Sequence, residues 1–119
     1  MLAALLVSTM VIAMPQDIAA LEEVGACYSA AVNAREIIQA DNAAGYSEPD
    51  DQAMVDILIE IETAAGARMD AMKPFTDTLS DAELRAMDDR IAERLNGYDE
   101  EAFGDFMDQC VLSLGIDAG

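Results

Sequence analysis

Val55-Asp56-Ile57-Leu58-Ile59-Glu60-Ile61-Glu62 is the stretch on which the fold turns. It is rich in β-branched residues and sets an apolar side chain at every odd position, the alternation of a half-buried strand. The same segment also reads as a helix, because Met54, Leu58, Ile61, Ala65, Met69 and Met72 recur at helical spacing as one stripe. No second segment has the character of a strand, and an unpaired strand leaves its backbone N–H and C=O groups unsatisfied. Residues 48–73 are therefore expected to form a helix. Lys73-Pro74 ends it, since proline has no N–H and crowds the preceding turn.

Upstream, residues from Leu21 to Asn42 carry a wide apolar face. One stripe is Val24, Cys27, Ala31, Ala34 and Ile38; its neighbour is Leu21, Gly25, Tyr28 and Val32. Gly45 is a stop signal, and Ser47 with Pro49 restarts a helix. Downstream, Ser80-Asp81-Ala82-Glu83 is a capping box, with Leu79 and Leu84 placed as a hydrophobic staple. Leu84, Met87, Ile91 and Leu95 follow on one face, and Asn96-Gly97 is expected to supply a left-handed stop. Asp99 caps the last helix, whose stripe is Phe103, Phe106 or Met107, Cys110 and Leu114, closed by Gly115. The expected architecture is all-α, a small antiparallel bundle of four helices over residues 21–116.

The chain has 119 residues, enough for one domain, with 24 acidic and 6 basic side chains, a net charge of -18 and no histidine. Hydrophobic residues are 53% of it, too many for a disordered acidic tail. The charge repels nucleic acid and anionic lipid alike. Without histidine, Ser-His-Asp and Cys-His mechanisms are excluded and zinc loses its usual nitrogen ligand.

Leu2 to Met14 is an uncharged apolar run, shorter than the roughly 20 residues of a membrane-spanning helix but suited to a signal-peptide core. Pro15 then breaks the run. Residues 1–20 read as a signal peptide cut near Ala20, with Ala13 as the alternative site, although no Lys or Arg precedes the run. The competing reading is a buried first helix. Periplasmic or secreted export is expected, with no stable membrane insertion after cleavage.

Cys27 and Cys110, the only two cysteines, suit an oxidising compartment as a disulfide across 83 residues. In an antiparallel pairing of first and last helices, Cys27 stands about 9 Å beyond Leu21 and Cys110 about 6 Å before Leu114, so their heights agree. The alternatives are two buried thiols, or lipidation of Cys27 within Val24-Gly25-Ala26-Cys27, from which Asp17, Glu22 and Glu23 detract.

Chemistry-bearing clusters are weak. Asp41, Glu48, Asp50, Asp51, Asp56, Glu60 and Glu62 follow one another without a base. So do Asp99, Glu100, Glu101, Asp105, Asp108 and Asp117. Asp41–Gln52 contains a glycine but lacks the alternating ligands and terminal Glu of a calcium loop, so a solvated acidic surface is the better reading. Met69 and Met72 are candidate thioether ligands for Cu(I), which Met54, Met87 and Met107 could join, but all lie on apolar stripes where Met fills cores. Arg85, Arg90 and Arg94 are expected to pair with Asp88, Asp89 and Glu93 within their own helix. No phosphate loop and no CxxC occurs, and no catalytic residue or cofactor is indicated.

In layout, an apolar leader before an acidic helical domain with one cysteine near each end, the chain resembles small periplasmic chaperones of the acid-protection type. The expected role is non-catalytic: binding a protein with a basic surface, with chaperone-like holding as one form. Periplasmic metal handling is the alternative. Monomer and dimer both fit this reading.

Overall fold

The computed structural model describes the backbone of residues 2–116 and side chains from Asp17 to Ile116. The greater part of the expected leader, up to residue 16, lies outside the described side chains. Among the described residues five helices form the fold: α1 (Leu2–Ala43), α2 (Asp51–Ala71), α3 (Lys73–Thr76), α4 (Asp81–Asn96) and α5 (Glu100–Ser113). No strand occurs among the described residues.

The ambiguous stretch is helix. In α2, Val55, Leu58, Ile61 and Ala65 are buried while Asp56 and Glu60 face solvent. The expected count of four helices is corrected to five by α3, and the reason is Pro74. Its missing N–H stops α2 at Ala71, yet is no loss in the first turn of a new helix. Asp77 N–H accordingly donates to Lys73 C=O at 2.8 Å to close that turn. The backbone of α1 passes through Pro15 without a break. A proline deletes one helical hydrogen bond without forbidding the turns that follow.

α1 is the central post, packed against α2, α4 and α5. Its fully buried residues are small: Ala26, Ala30 and Ala31, with Cys27 between them. Gly25 allows a close approach, since a Cβ there would meet Ile91 Cδ1 of α4 at 3.2 Å. Against Leu21 and these small residues of the post gather Leu58, Ile61, Met87, Ile91, Phe106 and Leu114; no buried polar or charged side chain occurs among the described residues. Ile18, on the leader side of the expected boundary at 20, also packs against this core.

The helix ends follow their local chemistry. Ser80 and Glu83 form the reciprocal capping box, and Asp99 accepts from Ala102 N–H at 2.8 Å. Gly45 and Gly115 take the left-handed conformation at φ 94° and 71°. Gly97 does not: at φ −81° and ψ −11° it continues the right-handed turn, donating its N–H to Glu93 C=O. With Asp99 ready to cap two residues later, the chain needs no reversal there.

Candidate functional site

α2 and α5 each pack on α1, and the space between them stays open as an apolar groove of about 1010 Å³. Its sides can be assigned element by element. The last turns of α1 contribute Ala34, Ile37 and Ile38, and the first half of α2 contributes Met54, Ile57, Leu58 and Ile61. The end of α4 adds Leu95, and α5 adds Phe103, Met107, Val111 and Leu112. Three of these stand out into solvent: Ile37 is 62% exposed, Leu112 79% and Met54 48%. α5 spends Phe106, Cys110 and Leu114 on the core, so its adjacent positions 103, 107 and 111 are left to line the opening.

The turn at one end of the groove is held by a small cluster. Arg94 Nε donates to Tyr98 Oη at 2.7 Å, and the guanidinium lies 4.8 Å from the centroid of the Phe106 ring. Tyr98 and Phe106 pack with centroids 5.4 Å apart. Arg94 also forks onto Glu23 of α1, with Nη2 at 3.0 Å from Oε1. Hydrogen bonding to Glu23 raises the pKa of Arg94, and the same bond holds the Glu23 carboxyl below its ordinary value.

Electrostatically the groove is one-sided. Asp99, Glu100 and Asp108 are among its lining residues, with no Lys or Arg. The neighbouring arginines are engaged elsewhere. Arg35 donates to Glu62 through Nε at 2.6 Å and Nη2 at 3.0 Å, a two-bond fork that raises its pKa. Arg90 reaches Glu22 at 2.7 Å. The expected pairing of Arg90 and Arg94 within their own helix is thus corrected to pairing across the α1–α4 seam. α1 packs against α4 and presents Glu22 and Glu23 to guanidiniums on long, flexible stems.

The cysteine sulfurs of Cys27 and Cys110 lie 2.11 Å apart, with Cα atoms 5.7 Å apart, at disulfide distance and geometry. Cys27 is buried and paired, which sets aside the lipidation reading. Met69 and Met72 do not line the groove; both are half-buried and packed against the core. Met54 and Met107 do line it. A smaller hollow of about 390 Å³ contains Asp41, Glu48 and Asp51 beside Gly45. Among the described residues no group of three or more acidic, cysteine or histidine side chains is placed to hold a metal ion.

The reading of stripes missed Ile37 and Leu112, which lie off every stripe. Their signal was present as paired apolar neighbours, Ile37 beside Ile38 and Val111 beside Leu112, one member more than a single core face requires. Compared with protein-family models, curated proteins and solved structures, the chain matches none.

Proposed function

We propose that the chain is an exported, non-catalytic binding protein that holds apolar segments of other proteins in the groove between α2 and α5. The observation that carries this reading is the groove itself, whose lip exposes Ile37, Met54 and Leu112 together. Contiguous apolar surface of this kind is costly in water unless another surface covers it at work. The acidic surface adds steering toward basic partners. Export rests on the apolar run before Pro15 and on a cysteine pair suited to an oxidising compartment, which is periplasmic or extracellular. Among the described residues no helix is long and apolar enough to cross a membrane.

The test is suppression of aggregation of an unfolding client protein at pH 7 and at pH 3, with Ile37→Asp as the comparison. Holding by the native chain, lost in the variant, supports the reading; equal inactivity at both pH values ends it. The thiol state and N-terminal mass of protein recovered from the cell envelope test export. Metal handling has one observation in its favour, the shared position of Met54 and Met107 in the groove. A Cu(I) titration with no heat and no thermal shift would remove it.

A further inference from the structure

The groove also constrains what can lie in it. Apart from the Tyr98-Asp99 link, its walls are helix: α1, α2, the end of α4 and α5 present side chains, and along the helix interiors the backbone N–H and C=O groups are paired within each helix. It therefore offers no sheet edge to an extended segment. A strand pressed into it would bury amides with nothing to bond. A helix satisfies its own backbone and needs only an apolar face at i, i+3, i+4 and i+7. The volume of about 1010 Å³ lies at the upper end of the roughly 300–1,000 Å³ typical of small-molecule pockets, and Ile37, Met54 and Leu112 at its lip are exposed to solvent.

The margins select the charge of that helix. Asp99, Glu100 and Asp108 lie along the α5 side without a cation. Ile38 is shared between the groove and the hollow that contains Asp41, Glu48 and Asp51. Arg35 and Arg94 are turned away into their forks with Glu62 and Glu23. A second copy of this chain, itself carrying -18, is repelled from such a margin. Building on the binding role proposed above, we infer that the occupant is a helix of another protein, apolar along one face and flanked by Lys or Arg.

The full chain is titrated with three synthetic peptides that share one apolar helical face and differ only in flanking residues: Lys/Arg, Gln or Glu. Binding is read by fluorescence anisotropy at low and high salt, and peptide helicity by circular dichroism. The expected result is that the cationic peptide binds as a helix at least about tenfold more tightly than the acidic one, a margin that narrows with salt. Leu112→Asp should abolish binding, and Glu100→Lys with Asp108→Lys should erase the preference. Ile37, Leu112, Glu100 and Asp108 are exposed, so a folded variant is expected and its helicity checks it. Equal binding of all three peptides overturns the charge assignment while leaving the groove as a binding site. Binding of none overturns the proposed function itself. Self-association that Leu112→Asp abolishes makes a second copy the occupant and overturns the inference.

Discussion

Cys27 and Cys110 tie the central helix to the last one where both side chains are buried, so no solvent path competes with the bond. Closing a loop of 83 residues stabilises the fold by about 4 kcal/mol in the chain-entropy model. Denaturant unfolding with and without reductant should show a loss of that order, and Cys27→Ala with Cys110→Ala should reproduce it. Glu23 offers a finer test. Arg94 donates to it and so holds its carboxyl below the ordinary 4.5; the folded state favours the ionised form. Its contribution is therefore present above the unfolded value and is lost as pH falls through the lower folded one. Between about pH 5 and pH 2, Glu23→Gln should show a flatter fall in stability than the native chain. Because the pair is partly solvent-screened, the difference should be about 1 kcal/mol or less. Glu83 shifts the same way through the Ser80 backbone N–H, and Ser80→Ala should remove about 1 kcal/mol from α4 as its cap is lost.

At the scale of elements, Gly25 marks a close approach within the α1–α4 seam. Gly25→Ala gains about 1 kcal/mol of helix propensity against a contact at 3.2 Å with the flexible tip of Ile91, so it should be near neutral. Gly25→Leu cannot be absorbed and should cost about 1–3 kcal/mol by overpacking, measured as a lowered thermal midpoint. Ile18 extends the same seam, lying beside Leu79, Ala86 and Met87 of the α3–α4 region. A chain beginning at Leu21 loses that contact, whereas one beginning at Met14 keeps it. The shorter chain should be less stable by about 1 kcal/mol, the value of a half-buried aliphatic side chain.

Over the whole molecule, charge works in opposition to the core. The -18 balance spreads mutual repulsion over a small volume, while the ion pairs to Glu22, Glu23 and Glu62 sit at helix seams. Partly exposed pairs of this kind contribute about 0–1 kcal/mol each, so repulsion dominates the response to salt. The thermal midpoint should rise as ionic strength goes from about 0.01 M to 0.5 M, where the screening length falls well below the molecule's width. What the sequence alone determined was the helical class, the capping box at Ser80, the cap at Asp99 and the meeting of Cys27 with Cys110. Each of these depends on spacing along one element, or on heights that spacing fixes. α3 and the right-handed Gly97 followed from Pro74 and Asp99, local signals outside the reading of stripes, while the arginines that pair across the seam depended on what lay opposite. So did the groove, because an apolar residue such as Ile37 or Leu112 is core or surface only according to whether a neighbouring helix covers it, and coverage is a property of the assembled helices.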